Sequence, residues 1–288
     1  MEMDRRTAVQ LGTAATLGAL LPRSALAAAE QNATFETAFQ ETLSRLKAAF
    51  SDLGIQEVRP LPIATQQTNY NGGLRHDFDQ SALPAKSFII QPLARVGDVE
   101  EKSRPDVLPL FHEVGCHPDQ GTTGQQTTEI MLRLLTEALG LDPARIAFVS
   151  VPQADDMGPV LGDLGFPFAE KVLLRNEAEA LAARDASGFF FPDPFGDAYL
   201  VTMGVYYRIG ERDEISPTSY PPSGNWTEIG EIVIAGEAAP LGLSIGAERL
   251  TLALTGLYPS WDQRLGALSE QVIADSGGTE PPGLAAFR

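Results

Sequence analysis

The sequence predicts an α+β domain whose sheet is mostly antiparallel and flanked by helices. Three observations predict it. Strand-type runs come in pairs around polar or Pro-rich tips, amphipathic helices stand before and between them, and no repeat, low-complexity tract or linker divides the chain.

Residues 1–27 read as a leader. Arg5 and Arg6 precede a mildly apolar stretch, 11–21, and Ala25-Leu26-Ala27 supplies a small-residue cleavage pattern. The paired arginines point to the twin-arginine export route, although Asp4 and Ala8-Val9-Gln10 depart from its usual pattern. The expectation is a signal peptide over 1–27, one domain over 28–288, and an exported or periplasmic protein. An amphipathic N-terminal helix on a cytoplasmic protein is the competing reading.

In the domain, Phe35, Ala38, Phe39, Leu43, Leu46, Ala49, Phe50 and Leu53 share one helical face, and Gly54 stops that helix. Residues 55–62 hold two prolines and read as extended, and 70–84 as loop. Runs 87–96 and 107–117 form a hairpin around the charged tip 97–106. A helix over 125–139 aligns Ile130, Met131, Leu134, Leu135 and Ala138 before Gly140. Strand and helix signals then alternate over 146–151, 157–164, 171–174 and 177–184. Strands 199–207 and 226–234 flank a Pro-rich turn, and an apolar-faced helix spans 246–257.

Composition narrows the partners. The chain carries −17; its leader has Arg5, Arg6 and Arg23 against Glu2 and Asp4, so the remainder carries −18. A surface this acidic repels phosphate backbones, and no run of Lys and Arg offsets it. Broad nucleic-acid binding is not expected, nor membrane insertion, since no later apolar run reaches spanning length. Cys116 is the single cysteine, which excludes an intramolecular disulfide.

The stretch GLSIGAERLTLALTG, 242–256, has two incompatible readings. As G-x-S-x-G it makes Ser244 the nucleophile of an exported hydrolase. That fold needs a later histidine, yet His76, His112 and His117 all precede Ser244. As strand, turn at Gly246 and helix, it puts Arg249 on a first helical turn, where a guanidinium suits a polyphosphate. A merely solvated turn at Glu248 and Arg249 is the plainer alternative. In HEVGCH, 112–117, strand alternation puts His112 and Cys116 on one face and His117 on the other. Two ligands do not make a zinc site, so no metal site is expected there.

The order of segments resembles the catalytic domain of class II aminoacyl-tRNA synthetases, most of all alanyl-tRNA synthetase of the archaeal kind. The second motif of that family is matched by Arg95-Val96-Gly97-Asp98, loop 99–103, Arg104 and VLPLFHEVGCH with Leu110-Phe111. The third is matched by SIGAERLTLALTG, and the likeness spans roughly 35–270. The first motif falls on 54–60, too weak a match to predict an oligomer.

The resemblance implies an ATP site: Arg95 on the α-phosphate, Arg104 and Arg249 at the γ-phosphate end, Asp98 beside them and Phe111 stacked on adenine. Gly246 and Glu248 form the third motif's turn and helix start. Mg²⁺ would bridge the phosphates to a carboxylate such as Glu231. The implied reaction is attack by an amino-acid carboxylate to give an acyl-adenylate. Departures limit this. The alanine enzymes' aspartate for the substrate amino group falls on Gly242, and an Asn of the preceding strand falls on Glu231. Glu228 or Glu231 would receive the ammonium instead, unless both simply face solvent. The tRNA-binding and editing regions of the family are not matched, so a non-tRNA acceptor is expected. The alternatives are an exported, non-catalytic relative binding an amino acid or nucleotide-like ligand, and the Ser244 hydrolase.

Overall fold

The computed structural model describes residues 23–60, 86–94, 108, 110–117, 121–176, 178, 190–192, 199–210, 225–235, 242–257, 268–270, 273–274 and 278. For 23–33, 94, 190–192, 199–200 and 235 the backbone alone is described.

The strands are β1 (Gln56–Val58), β2 (Ser87–Ala94), β3 (Leu110–His117), β4 (Ile146–Ser150), β5 (Val172–Leu174), β6 (Phe190–Pro192), β7 (Tyr199–Arg208), β8 (Trp226–Ala235) and β9 (Leu243–Gly246). They form one sheet in the order β1-β2-β3-β9-β8-β7-β4-β5, with β6 on β7 beside that path. Among the described residues only β1–β2 and β4–β5 pair in parallel. This is the helix-flanked, mostly antiparallel α+β sheet that the sequence predicts.

Helix α1 spans Arg23–Asp52 and so begins ahead of the expected residue 35. The added turns are rich in alanine, which favours helix without producing an amphipathic period. Helix α2, Gly124–Arg133, opens on a capping box in which Thr123 and Gln126 satisfy each other's backbone donors. It continues as a π-turn, Leu134–Ala138. Arg45 of α1 donates to the Leu139 carbonyl there, filling one of the acceptors a helix end leaves open. The start of α2 lies hard against β8: a Cβ on Gly124 would stand 2.2 Å from the Ile234 carbonyl oxygen. No other residue type fits this approach.

Short helices α3 (Gly158–Asp163) and α4 (Phe168–Lys171) follow β4, and α5 (Ala247–Thr255) follows β9 directly. The expected helix over 177–184 lies almost wholly outside the described residues, as do the loop 70–84 and the tip 97–106. Strand β6 has no counterpart in the sequence reading.

Strand alternation sorts the sheet into two faces. Phe88, Ile90, Val114, Cys116, Leu243, Ile245, Ile232, Met203, Val205 and Phe148 join side chains from α1, α2 and α5 in one core. Phe148 meets Phe166 edge-on at 5.5 Å, and Phe50 stacks on Phe88 at 4.6 Å. The alternate residues, Gln91, Phe111, Glu113, Ser244, Glu231 and Thr202 among them, stand on the other face.

Candidate functional site

The pairing registers draw one line across the second face. Ile89, Gly115, Ser244, Glu231, Gly204 and Val149 are successive cross-strand partners on β2, β3, β9, β8, β7 and β4. Glu231 therefore rises from mid-sheet between Ser244, whose side chain is small, and Gly204, which has none. Thr202 Oγ1 donates to Glu231 Oε1 at 2.5 Å. A β-bulge shifts the register between Val205 and Tyr206 and brings Glu228 opposite Tyr206. Glu228 Oε1 and the Tyr206 hydroxyl both lie 3.5 Å from where a Gly204 Cβ would be.

Arg249 reaches this face from the first turn of α5. Its Nη1 donates to Glu228 Oε2 at 3.4 Å, with the two side chains 28% and 36% exposed. The half-buried guanidinium thus stands beside Glu228, one of the carboxylates singled out in the sequence. Phe111 is buried against Leu93 and Leu108 on the same face, next to the row of Gln91, Glu113 and Gly246. Arg95, Asp98 and Arg104 lie outside the described residues, in the segment that joins β2 to β3.

Glu248 corrects one expectation. It is not part of a solvated first turn but 1% exposed. Its Oε2 accepts the His112 backbone N–H at 2.9 Å, and its Oε1 accepts the His112 Nδ1–H at 2.8 Å. A carboxylate only accepts, so the ring nitrogen that faces it, Nδ1, is the one that donates. The His112 ring also packs on Phe39 of α1 at 5.2 Å. Sequence reading missed this role for His112, and likewise Thr202 as the partner of Glu231. Alternation through Tyr199–Arg208 does put Thr202 and Gly204 on one face, the one available signal.

His112 and Cys116 share the helix-covered face and His117 stands on the other, as alternation predicts. Among the described residues no three of His, Cys, Asp and Glu gather as metal ligands. His112 is engaged by Glu248, and burial pushes the Cys116 thiol up to about 12, which keeps it protonated. Burial also lowers the pKa of His117 below 6.5, and neither of its ring nitrogens has a hydrogen-bond partner among the described residues. Its ring packs on Gly242, where a Cβ would meet Nδ1 at 3.1 Å and the Cys116 carbonyl oxygen at 2.7 Å. An aspartate in that place would require β3 to move.

Ser244 sits inside β9, ahead of the strand-to-helix junction at Gly246 and Ala247. A nucleophile elbow needs its serine on the sharp turn itself. The hydrolase reading fails on that geometry as well as on chain order.

No family model matches the chain, and no curated protein does. Among solved structures, the chain is similar to apo histidyl-tRNA synthetase of S. aureus. The identity is 12% and the TM-score 0.43, over 79% of this chain and 68% of that one.

Proposed function

We propose that the chain activates an amino acid with ATP, forming an acyl-adenylate for transfer to an acceptor other than tRNA. The observation that carries this reading is Arg249, half-buried on the first turn of α5 and turned to Glu228 beside the small-residue row around Glu231. A planar cation there suits the polyphosphate, and the two glutamates suit the substrate ammonium. The antiparallel pairing of β2 with β3, and of β3 with β9 just ahead of α5, supports the class II resemblance on which this reading draws.

In the reaction a substrate carboxylate oxygen bonds to the α-phosphorus of ATP while the bond from that phosphorus to the bridging oxygen breaks. Pyrophosphate leaves with the electron pair. The glutamates are hard oxygen donors that fit Mg²⁺ together with phosphate oxygens and water, and the ion when bound neutralises phosphate charge. Arg249 orients the leaving pyrophosphate, and Glu231, steadied by Thr202, orients the amino acid. The −17 charge supports a small-molecule or carrier acceptor over tRNA.

Calorimetric titration of ATP with Mg²⁺ into the full chain, beside Arg249→Ala, tests the reading; amino-acid-dependent pyrophosphate exchange follows. Micromolar binding lost in the variant is expected, and no heat at millimolar ATP overturns it. The close packing of His117 on Gly242, which leaves no place for the alanine enzymes' aspartate, favours a second reading. In that reading the chain is a non-catalytic binder, and its signature is nucleotide binding without exchange.

A further inference from the structure

We infer that the buried His112–Glu248 pair is a positioning device that aims Arg249. Strand β9 pairs with β3 only as far as Gly246, opposite Glu113. The next outward donor on that edge of β3 is the His112 N–H, and no strand backbone remains to accept it. Glu248 fills the gap: its two oxygens lie 2.9 and 3.2 Å from that nitrogen, so a side chain extends the ladder by one rung past the end of the strand. The pairing type fits. His112 stands opposite Pro92, and its N–H turns away from β2, as in a non-hydrogen-bonded antiparallel pair that asks no donor of the proline.

The imidazole then locks the same carboxylate from a second direction, and Phe39 backs the ring. The N-cap of α5 is Gly246, which contributes no side-chain cap, so this clamp supplies the side-chain anchor at that end. Arg249 is the next residue. With its neighbour fixed to β3, its stem leaves the helix at one angle and its guanidinium meets Glu228. The inference rests on the proposed anion-gripping role of Arg249 and explains how that role is held.

The test reads Arg249 directly rather than activity. In full-length protein labelled with ¹⁵N-arginine, the Arg249 guanidinium Nη–H resonances are assigned by their loss in Arg249→Lys. In Glu248→Gln the expected result is proton exchange faster by roughly threefold to tenfold, the equivalent of one net hydrogen bond. His112→Gln, which keeps the backbone rung and removes only the ring, gives a smaller change in the same direction and decides the matter if Glu248→Gln does not fold. An unchanged Arg249 signal in a folded variant of lowered melting temperature overturns the inference and leaves the pair a fold-stabilising contact. Wild-type protein that binds no nucleotide overturns the proposed function but leaves this readout intact.

Discussion

The two faces of the sheet are built from the same strands, one residue apart, and they differ in nearly everything else. Toward the helices, Val114, Ile245, Ile232 and Met203 are fully buried and hold apolar neighbours. On the reverse, their immediate neighbours Glu113, Ser244 and Glu231 are half-buried and polar. The period of two places the main apolar core on one side and this polar row on the other, between smaller apolar clusters around Tyr206 and Phe111, so changes to the core and to the polar row should be separable by experiment.

The largest effect is expected on the apolar side. Phe148→Ala removes a ring that is fully buried and packed edge-on against Phe166. It should cost about 3–5 kcal/mol in urea unfolding while leaving ligand affinity alone. A loss below about 1 kcal/mol would mean that the core repacks freely and the division is blurred.

On the polar side, Thr202→Val keeps the shape and removes the hydroxyl donor to Glu231. It should lower stability by about 1–2 kcal/mol, and amino-acid affinity should fall with it if Glu231 binds the ammonium.

His117 gives a pH-dependent contrast. Burial lowers its folded-state pKa, so as pH falls the unfolded chain takes up the proton first. The contribution of the neutral ring is complete above pH 6.5 and is lost progressively below it, down to the folded-state value. Replacing His117 by Leu should therefore flatten the stability profile between pH 7 and 5, and a parallel profile would refute the assignment.

Smallest of all, Glu228→Gln breaks a partly exposed pair with Arg249. Denaturation should register at most about 0.5 kcal/mol. Nucleotide or amino-acid binding should move more than stability does, which would sharpen the separation of the faces.

Much of the frame was legible in the sequence because period and punctuation carry it. The alternation through 199–207 and 226–234 marks β7 and β8, and Gly54 and Gly140 end the helices before them. The start of α1 was not legible, since an alanine run carries no period. Strand β6, Phe190–Pro192, is too short to show one. At the site, Arg249 was singled out by its place on the first turn of a helix, and Glu228 and Glu231 through the family resemblance. The burial of Glu248 was not, because its cause is a backbone donor 136 residues earlier in the chain. A local reading has no access to a rung supplied from so far away.

The place of β9 has a consequence for how the protein is made. Though it is the last strand in sequence among the described residues, it lies between β3 and β8 in the middle of the sheet. A nascent chain that has already formed its β2–β3 hairpin must keep one edge of β3 open until residues 243–246 leave the ribosome. Such an unfilled edge is where chains stick to one another, and closing so large a loop is slow. Chaperone dependence during synthesis, and low yield from truncations ahead of Leu243, are what this topology entails.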